Sequence, residues 1–247
     1  MADSLTMATR CLRISRRQID ALLTALLLPM LLMVVFVELF GGALHVGTSY
    51  VDYVVPGVLV LCAGFSSGLT AVAVCQDMQG GIVDRLRAMD VRGASVLAGH
   101  VAASVARNAL SGVLVVGLAF ALGFAPHADL PHWLAAAGIL LAYVTAVSWL
   151  SAAIGLLASS PEAANGVTFL VMFLPYASSA FVPVYTMPRW LHGFAGPQPI
   201  SQVADSLRGL LLGAPVGGHP WMALAWCDAL LVVSVVASGF LFVRRAT

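Results

Sequence analysis

Residues 75–100 read CQDMQGGIVDRLRAMDVRGASVLAGH, a polar island between two long apolar runs. Three aspartates (Asp77, Asp84, Asp90) and three arginines (Arg85, Arg87, Arg92) crowd into it, in a chain that is only 9% charged. If the flanking runs cross a bilayer, the island must lie outside the hydrocarbon, and its arginines put it on the cytosolic side by the positive-inside bias. Gly80-Gly81 interrupts helix propensity, while Ile82, Val83, Leu86 and Met89 form one apolar face of a short helix whose other face is charged. Spacing alone leaves two readings open: a solvated loop with a helical turn, or a surface offered to a cytosolic partner.

The rest of the chain supplies the membrane. It has 247 residues, 60% of them hydrophobic, and a mean hydropathy of +0.96, against roughly 45–50% apolar residues in a soluble domain. A hydrocarbon layer of about 30 Å needs about 20 helical residues. Runs near that length fall at 21–39, 54–75, 109–124, 133–158, 167–183 and 221–243. No period-two alternation suggests a barrel. The expectation is an all-α integral membrane protein, one domain over 1–247 with six transmembrane helices and no soluble part. All twelve basic residues are arginines. Ten of them fall in segments that a six-span topology puts on one side, leaving Arg189 and Arg208 on the other, so both termini are expected in the cytosol. The net charge of +1 gives no reason to expect nucleic acid. Cys11, Cys62, Cys75 and Cys227 show no metal-ligand spacing and read as small packing residues. The first apolar run is long enough to remain as a span rather than be cleaved as a signal peptide.

Several shorter stretches carry expectations of their own. In residues 1–20, Leu5, Ala8, Leu12 and Ile19 share a helical face beside Arg10, Arg13 and Arg17, the pattern of a helix lying at the headgroups. Gly64, Ser66, Ser67 and Gly68 offer another helix a close approach. Arg107 precedes an apolar run of only sixteen residues and reads as snorkelling to the inner headgroups. His127 and His132 have no companion ligands for a metal. Glu162, in a short turn after the fourth run, favours a helix N-terminus. From 175 to 213, prolines at 175, 183, 188, 197 and 199 forbid one continuous helix. Phe181, Met187 and Trp190 make that stretch too apolar for a free loop, so a re-entrant pair of short helices fits, the second at 200–212. Asp228 lies inside the last run, where an unpaired carboxylate is a functional-site hypothesis unless it reaches the interface, Arg208 or water.

The strings GIVDRLRAM and VRGASVLAGH, with SAFVPVYTMPRWLHGFAGPQPISQVADSLRGLL further on, resemble permease subunits of type-two ATP-binding-cassette (ABC) exporters of the daunorubicin-resistance kind. Where that family usually has proline after Met89, this chain has Asp90. The resemblance implies a cytosolic coupling loop (76–100) that docks on an ATPase through Gly81, Asp84, Arg85, Leu86 and Arg87, with a second, smaller contact at Glu162. It also implies an outer re-entrant segment (175–213), including Phe181, Pro183, Met187, Pro188, Pro199 and Arg208, capping the path between spans five and six. The sequence contains no G-x-x-x-x-G-K-[ST] phosphate loop. The chain would then not be an enzyme and would bind no cofactor, with ATP and Mg held by a separate cytosolic ABC ATPase subunit. Its other expected partners are a second permease copy, membrane lipids and a hydrophobic small-molecule substrate, at a bacterial cell membrane. The substrate class stays open between a drug-like compound and a lipid-linked glycan or polysaccharide. An ion-coupled secondary transporter is the rival class, and would call for several paired intramembrane carboxylates. No G-x-S-x-G or H-E-x-x-H site marks an intramembrane enzyme.

Overall fold

The structure, a computed structural model, describes residues 9–11, 19–42, 49–81 and 93–244. Its helices in chain order are α1 (Ile19–Phe40), α2 (Tyr50–Gln79), α3 (Gly93–Ala121), α4 (Leu130–Leu157), α5 (Pro161–Val171), α6 (Arg189–Ala195), α7 (Pro199–Leu212) and α8 (His219–Arg244), with 3-10 turns at Leu174–Ala177 and Val184–Thr186. Among the described residues four helical stretches are long and apolar enough to cross a bilayer: Tyr50–Gln79, Ser95–Ala121, Leu130–Leu157 and His219–Phe242. A shorter apolar stretch, Leu26–Phe40, lies in α1.

Helix α2 is the hub, with α1, α3, α4, α5 and α7 all packed against it. Lipid tails are as apolar as leucine, so close packing and interhelical hydrogen bonds must hold such a bundle together. Both are present. A β-carbon on Gly57 would stand 2.2 Å from the carbonyl oxygen of Ala180, and one on Gly155 of α4 would stand 2.4 Å from that of Ala71. Gly68 takes the Thr168 side chain at similarly short range. At mid-bundle, Ser148 of α4 donates to Ser104 of α3 at 2.8 Å and lies 3.2 Å from Ser67 of α2, so three serines tie three helices. Each such bond in a membrane bundle contributes about 0.6 kcal/mol.

Two of the expected runs fold differently from their hydropathy. The third does not start near Ala109: α3 begins at Gly93, so Arg107 sits inside a helix. It does not snorkel outward. Its Nη2 donates to Thr70 Oγ1 at 2.8 Å and to the Ser66 carbonyl at 3.3 Å, so α2 supplies the partners that headgroups were expected to supply. The fifth run is helical only to Val171, because Pro175 has no N–H for the Val171 carbonyl and its ring would clash there. Even so, the chain tracks α2 from end to end in the opposite direction. Gln79 Nε2 donates to Ser159 O at 2.7 Å, and Tyr50 and Tyr53 hydroxyls donate to Phe181 O at 3.2 Å and Ser179 O at 2.8 Å.

These contacts define two ends of the bundle. One carries Arg10, Asp77, Gln79, His100 and the turn at Ser159. The other carries Tyr50, the 125–129 loop, α6, α7 and the start of α8. There, Ala125 N donates to Asp52 Oδ1 at 3.0 Å and His127 N to Leu211 O at 2.9 Å. Helix α8 packs on α4 and α7 and leaves most of its surface exposed, with Ala223, Cys227, Ser234 and Ser238 buried. All four cysteines are buried.

Candidate functional site

At the first end, α2 stops where Gly80 N bonds to Gln76 O at 2.8 Å and Gly81 turns to φ 65°, a left-handed conformation that favours glycine. Asp84, Arg85, Leu86 and Arg87 lie outside the described residues. Glu162 is exposed in the first turn of α5, behind Ser160, whose hydroxyl caps that helix by accepting from Ala163 N at 3.1 Å. Hydrogen bonding from its own backbone N–H and from Ser160 holds the Glu162 carboxyl below its ordinary pKa. The Gln79–Ser159 bond brings this turn against the end of α2, and Cys75 Sγ donates to Ala158 O at 3.7 Å beside it. Gly81 and Glu162, far apart in sequence, therefore belong to neighbouring turns.

The same end contains a group that periodicity does not reveal. Asp77 accepts from Arg10 Nη1 at 3.0 Å and faces His100 Nε2 at 3.1 Å, with the Asp77 and His100 side chains only 13% and 8% exposed. Asp77, counted in the sequence as part of a solvated island, is instead the point where the N-terminal segment, α2 and α3 meet. Its hydrogen bond raises the pKa of the Arg10 guanidinium. The only sequence signal was that Asp77 and His100 bracket the island.

At the opposite end, residues 175–213 fold as two 3-10 turns and two short helices, and Arg208 holds them to α2. Its Nη2 donates to Tyr53 O at 3.2 Å and to Ser179 O at 3.0 Å, and its Nε to Tyr53 O at 3.3 Å. Its Nη1 pairs with Asp205, which also accepts from Ser179 Oγ at 2.9 Å. The guanidinium carbon lies 3.8 Å from the centroid of the Tyr53 ring, which adds a cation–π attraction. A planar fork of five donors suits such a set of acceptors. Ser201 completes the seam, accepting from Ser179 N at 3.0 Å. Arg208 is thus occupied, and Asp228, exposed on α8, makes no hydrogen bond among the described residues. Of the partners expected for Asp228, the interface, Arg208 or water, Arg208 is therefore excluded.

The other expected residues of this segment take distinct places. Phe181 is buried and stacks on Phe36 of α1 at 4.8 Å and on Tyr176 at 5.2 Å. Pro183 is buried and its carbonyl accepts from Thr186 Oγ1 at 2.7 Å. Met187 is half-buried, its carbonyl 2.9 Å from His192 Nε2. Pro188 is exposed ahead of α6, and Pro199 opens α7 at a position where a missing N–H costs nothing. Tyr53, Ser179 and Asp205 were missed in the sequence. Asp205 and Arg208, three apart on one helix face, were the available clue.

A bundle of long apolar helices around a hub, with polar turns at one end and a cap of short helices at the other, defines a multi-pass membrane protein. The family model of the ABC-2 type transporter matches residues 4–212. The chain belongs to that family and is a type-two ABC permease. It is 30% identical to the daunorubicin resistance ABC transporter permease protein DrrB1 of Streptomyces coeruleorubidus, over 87% of this chain and 76% of the relative. It is 24% identical to the probable doxorubicin resistance ABC transporter permease protein DrrC of Mycobacterium tuberculosis, over 100% of this chain and 90% of that one. Membership implies an ATPase subunit as partner.

Proposed function

We propose that this chain is the membrane-spanning subunit of an ATP-driven exporter of hydrophobic or amphipathic, drug-like compounds, working by alternating access. In this reading the chain is one domain that crosses the membrane six times, the fifth time as the broken segment along α2, with both termini in the cytosol of a bacterial cell. Two copies pair, and a separate ATPase binds ATP and Mg. The arginine asymmetry supports the orientation, and the drug-resistance permeases among its relatives support the substrate class.

The observation that carries the reading is the neighbouring of Gly81 and Glu162 through the Gln79–Ser159 bond. It gives the ATPase one footprint made of two loops, one leading from α2 and one joining α4 to α5. Movement of that footprint would act on α2, and hence on every helix packed against it. In this reading Gly81, Asp84, Arg85, Leu86, Arg87 and Glu162 meet the ATPase, while Phe181, Pro183, Met187, Pro188, Pro199 and Arg208 close the outer end.

Reversing Asp84 and Arg87 together (Asp84→Arg with Arg87→Asp) is expected to uncouple the complex. Truncating one partner of a desolvated charge pair costs about 2–5 kcal/mol, and reversal also adds like-charge contacts. Co-purification with the ATPase and substrate-stimulated ATP hydrolysis should fall at least tenfold, a change worth ~1.4 kcal/mol, while expression and membrane insertion stay normal. Wild-type co-purification and hydrolysis in the reversed protein would reduce the island to a solvated loop.

A further inference from the structure

The final turns of α2 are gripped by several other parts of the chain. Val74 joins Leu97 of α3 and Leu156 of α4 in a small buried apolar cluster. Cys75 and Gln79 reach the turn at Ala158 and Ser159, and Asp77 takes Arg10 and His100. The bonds to Asp77 differ in kind from the rest. Arg10 approaches as a fork, Nη1 donating to Oδ2 at 3.0 Å and Nη2 to Oδ1 at 3.4 Å, so both carboxylate oxygens are engaged. His100 Nε2 stands 3.1 Å from Oδ2. An ionised carboxylate only accepts, so the proton of this contact is carried by Nε2.

Stability alone gives little reason for such a cluster. Apolar side chains of similar volume hold a buried site as well as an ion pair does, and Val74 with Leu97 already joins α2 to α3 beside it. What charge adds is a fixed geometry, because a forked arginine–carboxylate pair is specific in direction while apolar contact tolerates sliding. The place of the cluster says what is being aligned. Asp77 lies just before α2 ends at Gln79, and His100 lies about two turns into α3, which starts at Gly93. The two roots of the polar island are therefore drawn together, and Arg10 fastens the N-terminal segment to the same carboxylate.

We infer that Asp77 is a positioning residue for energy coupling, which pairs with His100 and Arg10 to fix the roots of the island against the N-terminal segment, so that a push on the island moves all three as one. In taking that push from an ATPase, this rests on the export function proposed above. Asp77 acts through the segments that it aligns.

Cys11 supplies a reporter in the native chain. It follows Arg10 and is 6% exposed, while Cys75, beside Asp77 on α2, is fully buried. Alkylation by a water-soluble maleimide is followed by peptide mass in the full chain in lipid nanodiscs. Asp77→Asn keeps the shape of the carboxylate without its charge, and Arg10→Met removes the fork from a segment outside the apolar core. Each should speed alkylation of Cys11 by about tenfold or more through local opening, and leave Cys75 within about twofold of wild type. The double variant should be no faster than the faster single, since both act on one pair. Wild-type protection of Cys11 in Arg10→Met, or Cys75 exposed along with Cys11, overturns the local alignment. A second arm measures uptake of ethidium, an amphipathic fluorescent cation, per ATP hydrolysed in inverted vesicles that also carry the ATPase. Both variants should lose about fivefold or more, with co-purification of the ATPase within about twofold. Wild-type uptake per ATP in a variant whose Cys11 has come free overturns the coupling role. Alkylation that follows the expected pattern, in a wild type that takes up no ethidium with ATP, defeats the export reading and the coupling role with it, while Asp77 keeps its hold on the N-terminal segment.

Discussion

Gly155→Leu is expected to leave almost no folded protein. A β-carbon at 155 would stand 2.4 Å from the Ala71 carbonyl oxygen, 3.1 Å from its carbon and 3.0 Å from Val74 Cβ. These are backbone and branched atoms of α2 that no rotamer change can move aside. Relief requires α4 to back away from the hub, and α8 to follow because it is packed on α4. Overpacking costs typically about 1–3 kcal/mol and occasionally more, and here a whole side chain must fit where not even a methyl group does. Only a cost well above that ordinary range, comparable with a total stability of about 5–15 kcal/mol, removes most of the folded population, and prising α4 and α8 from the hub is expected to reach it. Gly138→Ala is the control on the same helix, because nothing lies within 4 Å of its β-position. It should be neutral or gain up to about 1 kcal/mol of helix propensity. Recovery of monodisperse protein and its thermal midpoint measure both, and a wild-type midpoint for Gly155→Leu contradicts the close α2–α4 approach.

The second large effect is expected from Arg208→Lys, although it keeps the charge. An ammonium cannot reach Tyr53 O, Ser179 O and Asp205 together while stacking on the Tyr53 ring, so the fork geometry is lost. A hydrogen bond made by a charged group contributes about 1.5–3 kcal/mol. The low end applies, since the Arg208 and Asp205 side chains are 14% and 26% exposed and partial exposure screens the pair. The loss should be local, with residues 183–199 open to protease, while α2, α3 and α4 remain assembled through the Ser67–Ser148–Ser104 contacts. Protease resistance equal to wild type would mean that Arg208 does not hold the cap.

What the sequence made legible follows from what hydropathy can measure. The runs at 21–39, 54–75, 133–158 and 221–243 each fall almost wholly within one helix, because a helix apolar over about 20 residues has few alternatives in a bilayer. Hydropathy misplaced the start of α3, since it counts Arg107 as a break while the structure pairs that side chain with Thr70. It also merged α5 with the turns after it, because apolar Phe173 and Leu174 outweighed Pro175 in the average. The proline density of 175–213 did point to short helices, and α7 at Pro199–Leu212 lies close to the expected 200–212. Of the expected ATPase-contact residues only Gly81 and Glu162 are described, and their proximity depends on a bond between Gln79 and Ser159 that no local pattern encodes. The same holds for Arg10, Asp77 and His100. Each depends on which helix lies beside which, and periodicity along one helix carries no such information.

ATP held by a partner subunit is proposed to supply the work of transport, which enters through the turns beside Gly81 and Glu162. Inverted membrane vesicles carrying this chain with its ATPase, loaded with an amphipathic fluorescent amine, test it most directly, with ATP and a proton gradient supplied separately. Uptake is expected to require hydrolysable ATP, to persist when an uncoupler collapses the gradient, and to disappear when the ATPase is omitted. Uptake driven by the gradient alone, without ATP or the ATPase, would contradict it.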